Sequence, residues 1–88
     1  KENLDNLMFL SNAYIAQKKY AELEKLFLPL AQKGMMQAQY LLALGYYHAG
    51  NPKEAERWAK KVLETAKKDN DADNIKIVNH LLDEIKNK

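Results

Sequence analysis

Two histidines, His48 and His80, stand 32 residues apart, and the acidic run Asp69-Asn70-Asp71-Ala72-Asp73 lies between them. Imidazole and carboxylate are the donors of metal sites, so these are the residues with which the chain could do chemistry. Two imidazoles on one face can share an ion, but a site needs further ligands, and Asp71, Asp73 or Asp83 would supply one only by accident. The acidic run starts like a calcium loop. It lacks the glycine at the sixth position and the glutamate at the twelfth, where His80 stands instead, so a helix-capping turn is expected. Ser11, the only serine, suits a small packing position rather than a nucleophile. With no cysteine and no glycine-rich phosphate loop, the expectation is a chain without catalytic residues, metal or cofactor.

Composition narrows the class. At 88 residues the chain is one domain at most, near the lower size for a core held without disulfides or metal. Hydrophobic residues at 47% and charged residues at 30% are a globular balance. A net charge of +2 is too small to imply nucleic acid. A nucleic-acid adaptor using the Lys60-Lys61 face would bind with strong salt dependence, and the near-neutral charge argues against it. No apolar run approaches the ~20 residues that cross a bilayer, so membrane insertion is not expected. The chain opens on Lys1 rather than Met, as a piece of a longer or processed protein would. The absence of cysteine fits a cytosolic protein, and an exported one as well.

The elements that must position these residues are helices. Three glycines, two prolines and no sustained two-residue alternation leave little room for strands. A first helix is expected over 4–17, with Leu7, Leu10, Ser11 and Tyr14 in one stripe and Asn3 or Asn6 as cap. A second starts near Tyr20 and carries Leu23, Leu26, Phe27 and Leu30; Pro29 predicts a kink near Lys25 to Leu28 or an early stop. A third covers 36–48, with Gly45 in its middle where a neighbour could come close. Ala49-Gly50-Asn51-Pro52 is the strongest local signal: a helix-ending glycine, an N-cap and a first-turn proline. The fourth helix runs from Pro52 to about Lys67 with Ala55, Trp58, Ala59, Val62, Leu63 and Ala66 inward, and Glu56–Lys60 and Glu64–Lys68 placed to pair outward. The last covers 73–87, with Ile75, Val78, Leu82 and Ile85 in one stripe, widened by Ile77 and Leu81.

A unit of about thirty residues occurs twice. Phe9-Leu10-Ser11-Asn12-Ala13-Tyr14 aligns with Leu41-Leu42-Ala43-Leu44-Gly45-Tyr46 at an offset of 32, and Glu22, Glu24, Lys25 and Leu30 fall on Glu54, Glu56, Arg57 and Val62. Repeats of this length stack as solenoids, which present an extended surface to another macromolecule. Leu42-Ala43, Tyr46, Gly50, Ala55, Ala59 and Val62 resemble the tetratricopeptide repeat pattern. Lys53 to Val62, with an alanine followed three residues later by an aromatic, and Gly34 before Ala38-Gln39-Tyr40, resemble Sel1-like repeats, which share the helical hairpin. The first unit departs from the pattern: Leu23 replaces the expected alanine, Lys18 stands where the turn glycine belongs, and Pro29 interrupts the second helix.

The resemblance implies an all-α fold, an α-α superhelix: a right-handed solenoid of two helix-turn-helix repeats, about 4–33 and 35–67, plus a C-terminal capping helix. It implies a concave groove lined by Asp5, Met8, Asn12, Ile15 and Ala16 from the first helix, and by Gln37, Tyr40, Leu44, Tyr47 and His48 from the third. If the last helix continues the array, Lys76, Asn79 and His80 join them. Such an apolar-aromatic row with amides suits an amphipathic helix or extended peptide, with Met8, Tyr40 and Tyr47 as anchors. The family's carboxylate clamp is not expected, because Asp5 stands near the place of its first lysine. The expected partner is a protein or peptide. The alternative is a structural or homo-oligomerisation segment of a larger protein, with a homodimer formed through the groove or an exposed helix face.

Overall fold

The computed structural model describes residues 4–87, with side chains from Met8 onward; Asn3, Asp5, Asn6 and Leu7 as cap, groove and stripe positions lie outside the described side chains. Five α-helices follow one another: α1 (Leu4–Ala16), α2 (Tyr20–Gln32), α3 (Met36–His48), α4 (Pro52–Lys68) and α5 (Ala72–Lys86). Among the described residues there is no strand. The boundaries fall within two residues of those expected from the sequence, because the turns are encoded locally.

Four helix ends use one device. At the end of α1 the Lys18 amide donates to the Ile15 carbonyl (3.0 Å) and the Lys19 amide to Tyr14 (2.8 Å). At the end of α3 Gly50 donates to Tyr47 (3.2 Å) and Asn51 to Tyr46 (2.9 Å), 32 residues further on. The ends of α2 and α4 repeat the pattern through Gly34 with Met35 and Asn70 with Asp71. These paired bonds are a Schellman motif, which satisfies the last carbonyls of a helix when one residue turns left-handed. That residue is Lys18 (φ 59°), Gly34 (φ 96°), Gly50 (φ 85°) or Asn70 (φ 54°). Lys18 therefore takes the conformation of the missing glycine. At the starts, Asn51 accepts from the Glu54 amide (3.5 Å), and Asp71 accepts from Asn74 (3.3 Å), which settles the acidic run as a cap.

Pro29 does not stop α2. The helix continues to Gln32, and Gly34 ends it. Proline deprives one carbonyl of its donor, but so near the helix end only the final turn is affected. α2 has 13 residues and α4 has 17, so α4 is longer by about one turn.

The core gathers around α3. This helix packs against α1, α2, α4 and α5 in turn, whereas α2 and α4 have no Cα atoms within 8 Å of each other. Ala38, Leu41, Leu42 and Ala43 of α3 are buried among Leu23, Phe27 and Ala31 of α2, Ala55, Trp58, Ala59 and Val62 of α4, and Val78, Leu81 and Ile85 of α5. Gly45 makes the closest approach: a Cβ there would lie 2.7 Å from Cδ2 of Leu23. Outside the core, Glu56 pairs with Lys60 (3.2 Å), while Glu64 and Lys68 form no such pair. Three expected inward residues, Leu10, Leu26 and Ile77, are instead partly open to solvent, at 37%, 37% and 45% exposed. Of the described α1 side chains only Ser11 is buried, and its hydroxyl has no hydrogen-bond partner.

Two stability outcomes are expected. Lys18→Gly should raise the unfolding free energy by about 0.5–1 kcal/mol, since a left-handed lysine costs about 1–2 kcal/mol and glycine returns part of that as chain entropy. Ser11→Ala should stabilise by about 1 kcal/mol by removing a buried unpaired hydroxyl where the second unit already has Ala43. Urea denaturation checks both; a destabilised Lys18→Gly protein would contradict the turn geometry.

Candidate functional site

The helical spacing of Gln37, Tyr40, Leu44, Tyr47 and His48 puts them on one side of α3. Both α1 and α5 pack against α3. Tyr40, Leu44, Tyr47 and, from α1, Ile15 are half-buried, their inner edges resting on the core. Gln37 is half-buried; Met8, Asn12, Ala16, His48, Lys76, Asn79 and His80 are exposed. Burial pushes the Tyr40 hydroxyl pKa above its ordinary value, and the carboxylate of Glu84 on α5 adds to the shift. Within α5, Nε2 of His80 lies 3.1 Å from the Glu84 carboxylate. The Tyr47 ring meets His48 edge-on, with centroids 5.3 Å apart.

The histidines keep separate company: His48 has Tyr47, and His80 has Glu84. Among the described residues no three His, Asp or Glu side chains converge as metal ligands would.

A second concavity lies on the other side of α3, where the backbones of α2 and α4 diverge. A cleft of about 220 Å³ is floored by Leu23, Leu42 and Gly45 and rimmed by Tyr20, Glu24, Tyr46 and Asn51. A neighbouring one of about 350 Å³ shares Glu24, Tyr46 and Asn51 and extends along Leu28, Gln32, Glu54, Arg57 and Trp58. At the junction the Tyr46 hydroxyl donates to the Glu24 carboxylate. Burial, then that bond, then the charges of Glu24 and Glu54 push the Tyr46 pKa well above the usual phenol range, with Arg57 opposing. Arg57 pairs with Glu54 at 2.8 Å and lies 5.5 Å from the Trp58 ring centroid, with Lys61 at 5.6 Å. The Tyr46–Glu24 bond ties α3 to α2, while the Arg57–Glu54 pair lies within α4.

Sequence reasoning placed Tyr46 as filler between helices and missed this cleft. The available signal was Glu24 facing Tyr46 across two helices that Gly45 allows to close up. No family model matches the chain, and neither the curated proteins nor the solved structures contain a match.

The tyrosine–glutamate bond predicts an alkaline limb. The raised folded pKa means that the contribution of Tyr46 is fully present below the unfolded value of 10.0 and is lost as pH rises through the folded value. Tyr46→Phe should cost about 1 kcal/mol near neutral pH. That difference from wild type should shrink above about pH 10, whereas lysine titration affects both proteins alike. Urea midpoints at neutral and alkaline pH test it; a pH-independent difference would contradict the bond.

Proposed function

We propose that this chain is a helical-repeat binding module: two hairpins, α1–α2 and α3–α4, stacked as a right-handed superhelix of the tetratricopeptide or Sel1-like kind and closed by α5. Its function is to hold a peptide or partner protein against the side formed by α1, α3 and α5, and its role is binding rather than catalysis. The observation that carries this reading is that Tyr40, Leu44 and Tyr47 on one side of α3, and Ile15 on α1, are all half-buried against the core and half-exposed, while Met8 of α1 is exposed. Residues of this kind are already fixed on one edge by the core, so they lose little freedom when the other edge is covered.

The chemistry at the margins defines the ligand. Asn12, Gln37 and Asn79 offer amides that can bond a peptide backbone, His48 offers an imidazole and Lys76 an ammonium. An amphipathic helix, or an extended segment with two or three apolar anchors, fits such a row. Most of the affinity would come from Tyr40 and Tyr47, since aromatic anchors dominate small interfaces. The superhelix reading draws support from the turn bonds that recur at 32 residues between the two hairpins.

Selection of a displayed random-peptide library on the wild-type protein supplies the probe. Selected peptides should lose about tenfold or more in affinity for the Tyr40→Ala, Tyr47→Ala double variant, with helicity retained. Peptides that bind wild type and variant equally would place recognition elsewhere and refute the groove.

A further inference from the structure

The two units treat the same side of their first helix differently. In the second unit α2 lies along α3: Leu23 sits against Gly45, Glu24 accepts from Tyr46, and Gln39 donates to the Ala31 carbonyl at 3.0 Å. Leucine 23 thus lies near residue 45 and Ala31 near residue 39, so α2 runs antiparallel to α3. The residues that receive it are Leu42, Gly45 and Tyr46. Thirty-two residues earlier α1 carries Leu10, Ala13 and Tyr14, the same large, small and tyrosine sequence of contacts at the same helical spacing. Here the set is only partly covered, with Ala13 half-buried and Tyr14 resting on the core by one edge. Leu10 is 37% exposed where Leu42 is 0%, Phe9 is 74% exposed where Leu41 is 2%, and Leu26 is 37% exposed where Trp58 is 4%.

We infer that Phe9, Leu10, Ala13, Tyr14 and Leu26 form a docking site for one amphipathic helix supplied by a partner, bound antiparallel to α1 as α2 is bound to α3. The chemistry of that helix follows from the interface that the molecule already contains. It carries a leucine to lie on Ala13, a glutamate immediately after it to accept from the Tyr14 hydroxyl, a phenylalanine four residues after the leucine, and a small residue eight after it, as Leu23, Glu24, Phe27 and Ala31 do. Charge points the same way. An antiparallel helix brings its first turn to the end of α1, where Lys18 and Lys19 are exposed in place of the uncharged Gly50 and Asn51 of the second unit, so an acidic first turn would be matched there. A second copy of the chain is a poor occupant, because the stripe Leu23, Phe27, Ala31 is buried within each molecule. An apolar patch of this make-up on a small protein marks an interaction surface.

The probe is a peptide of α2's own sequence, residues 20–32, with Pro29→Ala and a lactam joining an Ala21→Glu side chain to Lys25 on its outer face to hold the helix. It is titrated into the 88-residue protein by calorimetry, with amide exchange read in parallel. Saturable one-to-one binding is expected, with new protection across residues 9–16. Phe9→Ser, at a position too exposed to unfold the protein, and Phe27→Ala in the peptide should each weaken binding about tenfold or more. Tyr14→Phe should weaken the Glu24 peptide but not a peptide carrying Glu24→Ala, which has no acceptor there. Absence of saturation at about 1 mM peptide would overturn the inference. So would affinity unchanged by Phe9→Ser, or protection lost from residues 20–32, which would mean that the peptide had replaced α2. A wild-type dimer that Phe9→Ser dissociates would assign the face to a second copy and overturn it equally.

Discussion

A helix with four neighbours is the constraint on which this molecule rests. α3 meets a partner on almost every side, and a helix so enclosed cannot carry large side chains all round. Its sequence resolves the conflict by alternating bulk and absence. Leu41 and Leu42 fill space, while Ala38, Ala43 and Gly45 give it up. Gly45 is the extreme case, set in a helix interior at a propensity cost of about 1 kcal/mol because Leu23 occupies the place of its missing side chain. The separation of α2 from α4 follows from the same arrangement. Each is drawn to its own part of α3, and the cleft rimmed by Tyr46, Glu24 and Asn51 is what remains between them.

The turns show how a repeat survives sequence divergence. Four helix ends make the same pair of backbone bonds, although the left-handed residue is glycine at two, lysine at one and asparagine at one. The bonds belong to the backbone, so side-chain identity changes the energy of the turn and not its form. What does vary is helix length. The extra turn of α4 begins α5 36 residues after α3, whereas α3 begins 32 after α1. That extra length carries Ala66 into the core, together with Lys67 and Lys68 at the helix end, where cations suit the dipole.

Much of this was legible before any coordinates. Gly50-Asn51-Pro52 and Asp71 fixed two boundaries through local chemistry, and Trp58 and Ser11 fell on inward positions of clear helical stripes. The misreadings share a physical cause. Leu10, Leu26 and Ile77 have the residue type and spacing of core positions, yet all three are partly open to solvent; periodicity reports which side of a helix is apolar, not whether anything covers it. Pro29 did not end α2, which runs on to Gln32. The cleft between α2 and α4 was invisible because it depends on how far apart two non-adjacent helices settle. Of the groove positions, the helical stripe on α3 was plain in the sequence, while the influence of Glu84 on Tyr40 needed the packing of α5.

The neighbour pattern has a consequence for how the chain finds its structure. Every helix pair in contact is adjacent in the chain or separated by a single helix. Few long loops have to close before apolar contacts begin to repay their entropy, so the search is short, and chains with such local wiring fold quickly for their size. Order need not arrive everywhere at once. The pairing of α3 with α4 joins two helices by a turn that caps both, and it supplies a surface on which α2 and α5 can settle from opposite sides. α1, with Ser11 as its one buried described side chain, gains least from joining and would be the last to lock and the first to fray.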